Sequence, residues 1–145
     1  MTLTVQTTRF GELNLDEGSR LEFVEPILGF GGLSQYALYR PTPDSVFMWL
    51  QSMERPELAF VVCDPRLVEP DYEVKARPDD VRSIELDDPN RAQVLAMVSY
   101  PNDPAKMTVN LMGPIVVNTE RGLAKQLVLN DPRYTTKHKV FPDRT

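Results

Sequence analysis

The run Lys106–Asn118, KMTVNLMGPIVVN, is the most strand-like stretch of the chain and decides the fold. Apolar and polar residues alternate from Met107 to Leu111, as they do in a strand that buries one face. Gly113 and Pro114 then interrupt the pattern, because proline lacks a backbone donor and glycine permits an unusual turn. The β-branched run Ile115–Val117 indicates a strand that is buried on both faces. This stretch predicts two strands separated by a kink, around which the other strands pack.

The rest of the chain predicts short strands joined by turns. Thirteen prolines are spread over the 145 residues, so no long uninterrupted helix fits. Turn signals recur at intervals of roughly 8–12 residues, which is typical of an antiparallel barrel or sandwich. We therefore predict a mostly β fold, a single small antiparallel β-barrel-like domain over residues 1–145 with one or two short helices. Asp79-Asp80 is expected to cap one short helix that ends near Leu86, with Val81 and Ile84 facing the core. Residues 134–145 are expected to form a basic C-terminal tail.

The most apolar strands supply the predicted core. We expect six of their side chains to be buried: Trp49, Phe60, Val109, Leu111, Ile115 and Val117. A buried Trp49 would make the Trp49→Ala substitution cost about 3–5 kcal/mol of stability.

No pattern in the sequence indicates an active site. Cys63 is the only cysteine and lies in an apolar run, where cysteine behaves as a small buried hydrophobe. A nucleophilic pair with His138, the only histidine, is disfavoured because Cys63 looks buried and inert. No cluster of His and Cys has the spacing of metal ligands, so a zinc site is disfavoured as well. The glycines of Pro26–Gly32 are not followed by the Gly-Lys-Ser/Thr of a phosphate loop. We predict no enzymatic activity, no cofactor and no metal.

Net charge and hydropathy limit the kinds of partner and the cellular location that we expect. The net charge is −5, and residues 1–90 carry 17 acidic and 8 basic side chains. This balance argues against direct binding to nucleic acid, whose phosphates require basic residues, and favours a basic protein partner. No apolar run is long enough to span a membrane. With no recognisable signal peptide and a single cysteine, we expect a cytoplasmic protein.

Several segments resemble the flagellar assembly factor FliW family. They are PILGF at residues 26–30, WLQS at 49–52, PELAFVV at 56–62 with Asp64-Pro65 after it, and VNLMGPIVVN at 109–118, followed by Lys125-Gln126 and Tyr134. The resemblance covers nearly the full length, and the order and spacing of the segments make it specific. It implies a compact β-barrel-like fold without catalytic activity.

The resemblance also implies two protein partners, the translational repressor CsrA and flagellin. Flagellin held in the cytoplasm occupies such a protein and leaves CsrA free to repress flagellin translation. Export of flagellin frees the protein, which then captures CsrA and relieves the repression. An alternative from a different class is a small enzyme or ligand-binding barrel whose site is invisible in the sequence; a deep polar pocket would favour it.

The charged stretch Glu69–Asn90 is our predicted CsrA-binding surface. CsrA binds RNA, so we expect it to present a basic surface that acidic residues attract. Tyr72 and Ile84 are expected to add an apolar anchor. The other interpretation is that this stretch is a solvated surface module. The predicted site residues are Asp71, Tyr72, Glu73, Asp79, Asp80, Ile84, Glu85, Asp87 and Asp88.

Overall fold

The computed structural model describes residues 2–141. Within them lie eleven strands, one short α-helix and five 3-10 turns. None of these helices is long and apolar enough to cross a membrane. The strands are β1 (Thr2–Thr7), β2 (Gly11–Asp16), β3 (Arg20–Phe23), β4 (Gln35–Tyr39), β5 (Phe47–Ser52), β6 (Ala59–Cys63), β7 (Gln93–Ser99), β8 (Thr108–Val109), β9 (Ile115–Asn118), β10 (Leu123–Gln126) and β11 (His138–Lys139). The helix is α1 (Pro78–Val81), and the 3-10 turns are Glu17–Ser19, Pro65–Leu67, Arg82–Ile84, Pro89–Arg91 and Pro104–Lys106.

Seven strands close into a barrel, which confirms the predicted fold class. Their order is β7-β6-β5-β4-β3-β10-β9, and β9 returns to pair with β7. All neighbours in this circuit are antiparallel except β3 and β10, which run parallel. The parallel pair is allowed because about a hundred residues of chain separate the two strands, far more than a crossover requires.

The stretch Lys106–Asn118 forms two strands and a kink, as predicted. β8 pairs with the end of β7, and β9 pairs with its beginning, so both run along the same edge of one strand. At the kink the Asn110 side-chain oxygen accepts hydrogen bonds from the Met112 and Gly113 amides, at 3.0 and 2.9 Å. These bonds satisfy backbone donors that the bend removes from the ladder.

Two hydrophobic cores lie on opposite faces of the barrel wall. Ile115 and Val117 point into the barrel, while Val116 between them points outward, so β9 is buried on both faces. The outward core is covered by residues that follow β6 and by the C-terminal segment. Tyr134 is buried in this outer layer, and β11 pairs with β8. The predicted basic tail, 134–145, is described only to residue 141; residues 142–145 lie outside the described residues.

Four of the six predicted core residues are fully buried, whereas Trp49 and Phe60 are not. Val109, Leu111, Ile115 and Val117 are at most 1% exposed. Trp49 is half-buried on the outside of the barrel, because its neighbours Met48 and Leu50 take the inward positions of β5. The stability cost expected for a fully buried Trp49 therefore does not apply. Phe60 is also half-buried, although it packs against the inner core and contacts Phe30 edge-on at 4.9 Å between ring centroids.

Cys63 is fully buried in the outer core, so we expect it to react slowly with thiol reagents. Burial, aided by the nearby Asp64 carboxylate, raises the pKa of the thiol to about 11. Since the thiolate is the reactive form, little of it exists at pH 7.5. Labelling with a disulfide reagent should be slow in buffer and complete at once in 6 M guanidinium chloride. Rapid labelling of the folded protein would contradict this and reopen the question of a nucleophilic cysteine.

Candidate protein-binding surfaces

The segment Glu69–Asn90 is fastened to the outside of the barrel by buried side chains. The Tyr72 hydroxyl donates a 2.7 Å hydrogen bond to the Leu111 carbonyl. The ring centroids of Tyr72 and Tyr134 are 4.7 Å apart. The Asn118 side chain donates to the Ile84 carbonyl at 2.8 Å. Tyr72 is 2% exposed and Ile84 is 0% exposed. The prediction that these two residues supply an apolar anchor for a partner is therefore wrong, because both are buried and hold the segment in place.

The predicted helix is present but is capped differently from the expectation. α1 begins at Pro78, continues as the 3-10 turn Arg82–Ile84, and buries Val81 and Ile84 as predicted. Asp80 accepts a 2.7 Å hydrogen bond from the Arg77 amide, which satisfies a donor at the helix N-terminus. Glu85 then ends the helix in a left-handed conformation with φ of 63°. Asp80 is thus a structural residue as well as an acidic one.

The acidic side chains of the segment lie at the surface. Asp80 is half-buried. The exposed acids are Asp71, Glu73, Asp79, Glu85, Asp87 and Asp88. From Asp71 to Asp88 there are seven acidic and three basic residues, a net charge of −4.

Arginines offset part of this negative charge. Asp79 pairs with Arg82 at 2.7 Å, and Glu85 lies 3.9 Å from Arg121. All four side chains are well exposed, and exposed pairs are weak because water screens them. Among residues 2–141, Asp71 and Asp87 have no ion-pair partner. The segment therefore keeps a net negative surface that is interleaved with arginine.

A tighter ionic cluster lies where the segment meets the C-terminal region. Arg133 bonds to Asp131 at 2.8 Å and lies 3.8 Å from Glu73. Hydrogen bonds from the Arg133 side chain and amide lower the pKa of Asp131 to about 2. The Glu73 amide donates to the Tyr134 hydroxyl at 2.9 Å. Glu73 is therefore tied to the fold through its amide.

The barrel interior is filled with hydrophobic side chains. Eleven buried residues form this inner core, with Tyr36, Leu50 and Ile115 among the largest. The Tyr36 hydroxyl is buried without a hydrogen-bond partner among the described residues, and burial raises its pKa. A ligand site needs several converging polar groups around a cavity. The described residues of the inner core do not provide that arrangement.

The described residues contain no group of three or more His, Cys, Asp or Glu side chains placed to hold a metal. His138 lies on β11, opposite Val109 of β8. Cys63 is on β6, paired with Phe47 and Ala96 on the neighbouring strands.

A second surface, which no pattern in the sequence indicated, lies on the outer face of the barrel around Trp49. We call it the Trp49 strip. Residues in register across β4, β5, β6 and β7 place half-buried side chains in one row, and Tyr100, 60% exposed, continues it beyond β7. Alternation of Phe47 and Trp49 with Met48 and Leu50 was the available signal, but all four are apolar, so the pattern did not reveal the outward face. The strip consists of Tyr39, Trp49, Ala59, Val61, Val98 and Tyr100.

Comparisons with known proteins identify the family. The family model described as FliW protein matches residues 4–140. The flagellar assembly factor FliW of Ruminiclostridium cellulolyticum is 36% identical over 142 residues, covering 97% of this chain and 96% of that protein. The flagellar assembly factor FliW of Geobacter sulfurreducens is 42% identical over 139 residues, covering 96% of this chain and 87% of that protein.

The fold agrees with these sequence matches. A crystal structure of the flagellar assembly factor FliW superimposes with a TM-score of 0.87 and 26% identity, covering 99% of this chain and 100% of that one. Both comparisons span nearly the entire chain, barrel and outer layer together. The chain therefore belongs to the FliW family of flagellar assembly factors.

Proposed function

We propose that this protein is a non-enzymatic, cytoplasmic partner-switching factor that binds CsrA and flagellin in turn. Flagellin occupies it until export, after which it captures CsrA and relieves repression of flagellin translation. Family membership supports a role in flagellar assembly, and the surface chemistry supports binding through the outer layer.

The acidic segment from Asp71 to Asp88 carries this proposal. Its buried residues Tyr72, Val81 and Ile84 fix it rigidly over the barrel, so its charges are presented without a large ordering cost on binding. Its net charge of −4 suits a partner that must itself be basic to bind RNA. The filled interior is consistent with a role in which the outer surface does the binding.

Competition between purified partners tests the switch. Immobilised protein should retain CsrA, and added monomeric flagellin should release it in proportion to its concentration. The expected release follows from the proposed exchange, in which one partner replaces the other. The control is an equal concentration of an unrelated acidic protein, which should release none. Failure to retain CsrA, or retention of CsrA and flagellin together at saturation, would contradict the proposal.

A further inference from the structure

The chain continues past the end of β10 as an extended edge of the barrel sheet. Burial alternates there, with Leu127 and Leu129 buried and Val128 between them exposed. The Leu127 and Leu129 amides donate to carbonyls of the residues that precede β9, at 2.8 and 2.7 Å. Because successive residues of an extended chain direct their backbone groups to opposite sides, the Val128 amide and carbonyl face away from this pairing. In the described part of the chain, neither group has a hydrogen-bond partner.

This free edge has defined ends. β3 pairs with β10 at Leu123 and Ala124, which closes the edge on one side. Pro132 ends it on the other side, because proline has no amide to donate to a neighbouring strand. A depression of about 400 Å³ runs beside the stretch between these ends and is lined by all of residues 125–131. The edge is therefore open over residues 125–131.

The sequence of the open edge, KQLVLND, is complementary to itself when two copies run antiparallel. In the register centred on Val128, each residue meets one of matching chemistry from the other copy: Lys125 meets Asp131, Gln126 meets Asn130 and Leu127 meets Leu129. Opposite charges that face each other across an antiparallel pair attract. Val128 meets its own copy, so the two free amides and the two free carbonyls satisfy one another. A second copy of this chain is thus an occupant whose sequence, charge and shape fit the edge.

The charged ends of the edge are ordered within a single copy. Lys125 lies 3.8 Å from Glu25, and its side chain is 12% exposed. Asp131 bonds to Arg133 at 2.8 Å, and its side chain is 16% exposed. Because these side chains have little freedom left to lose, pairing has a small ordering cost at both ends.

The β1–β2 ribbon lacks this complementarity. Pairing of β2 with its own copy about Asn14 places Glu12 opposite Asp16. Both side chains are exposed acids, and like charges directly opposite each other destabilise a strand pair. The comparison favours the edge at residues 125–131 over the ribbon as a site of self-association.

We propose that two copies of this chain pair edge to edge through residues 125–131, antiparallel about Val128, and form a symmetric dimer. The inference does not rest on the proposed function. One pair of short strands buries less than the roughly 1,200 Å² of a standard stable interface, so the dimer is weak and dissociates on dilution. In dilute solution the monomer prevails, and Val128 stays exposed.

Sedimentation velocity over a concentration series tests the dimer. The wild-type protein should sediment as a monomer when dilute and shift towards the dimer as its concentration approaches the millimolar range. Val128→Pro removes an amide that has no partner within the monomer, and it should weaken association by about tenfold or more because the symmetric pair loses both central hydrogen bonds. Val128→Thr keeps the amide and the β-branched shape, so it should change association by less than about twofold.

Circular dichroism checks that both variants fold. A wild-type protein that stays monomeric over the whole series would overturn the proposal. So would a folded Val128→Pro variant that associates as strongly as the wild type.

Disulfide formation tests the register without relying on the proline variant. Cys63 is fully buried, so Val128→Cys adds an accessible thiol without competition from it. In the proposed register the two Val128 Cα atoms lie about 5.5 Å apart, a separation that a disulfide spans. Mild oxidation of concentrated protein should therefore link two copies at this position. Val46→Cys, at a residue that is 54% exposed between β4 and β5, is the control and should link about tenfold more slowly or less. Equal rates at the two positions would overturn the proposed pairing.

Discussion

Replacing Ile115 by alanine should lower the free energy of unfolding by about 2–5 kcal/mol, the range for truncating a large aliphatic side chain in a packed core. Ile115 is 0% exposed and lies in the inner core of the barrel. It also lies on β9, whose pairing with β7 closes the barrel. The cavity would open at the seam of the barrel, where strands on both sides limit the collapse that could fill it.

Equilibrium unfolding in urea measures this loss. The midpoint should fall while the slope stays constant, which shows that the denatured state is unchanged. Val128→Ala is the matched control, because Val128 is 71% exposed and should change stability by no more than about 0.5 kcal/mol. A loss below about 1 kcal/mol for Ile115→Ala would mean that the barrel interior is loosely packed.

The seam strand was predictable because its sequence carries two independent signals. The alternation before Gly113 and the continuous β-branched run after it require two different environments, and the kink between them is marked by glycine and proline. The structure satisfies both signals by letting the same stretch pair with both ends of β7. Local pattern and tertiary arrangement agree here, so the sequence was sufficient.

The faces of β5 and the acidic segment were not predictable in the same way. In β5 every position from Phe47 to Leu50 is apolar, so no alternation of apolar and polar residues shows which side chains face outward. In the acidic segment Tyr72 stands among charged residues, which suggests exposure. Its burial depends on Leu111, which is 39 residues away in sequence. A contact of that kind leaves no trace in local composition.

Knowledge of the fold also changes which acids are suitable for testing the CsrA surface. Asp80 caps α1, so its replacement would perturb the helix and obscure an effect on binding. Glu73 is tied to Tyr134 through its amide, close to the Arg133 cluster. In the described part of the chain, exposed Asp79 forms one ion pair, with exposed Arg82, and Asp87 forms none. These two residues change the charge with the least effect on structure.

Reversal of both, Asp79→Lys with Asp87→Lys, should slow CsrA association by about tenfold or more at low salt. The two substitutions change the charge of the segment from −4 to 0 and so remove the field that steers a basic partner. Near 1 M salt the Debye length shrinks to about 3 Å, and the rates of the variant and the wild type should converge. Stopped-flow or surface-based kinetics over a salt series measures both effects.

The matched control applies the same change of charge elsewhere. Glu12→Lys with Asp16→Lys alters two exposed acids on β2, in the separate β1–β2 ribbon, and changes the net charge of the protein by the same amount. If the attraction comes from the acidic segment itself, the Glu12 and Asp16 reversal should slow CsrA association much less than the Asp79 and Asp87 reversal does. Equal slowing in both would assign the effect to overall charge. Reversing a charge that lies within a Debye length of a docked basic partner must change the rate of association. If the Asp79 and Asp87 reversal leaves the CsrA association rate and its salt dependence unchanged, these acids only keep a surface segment soluble.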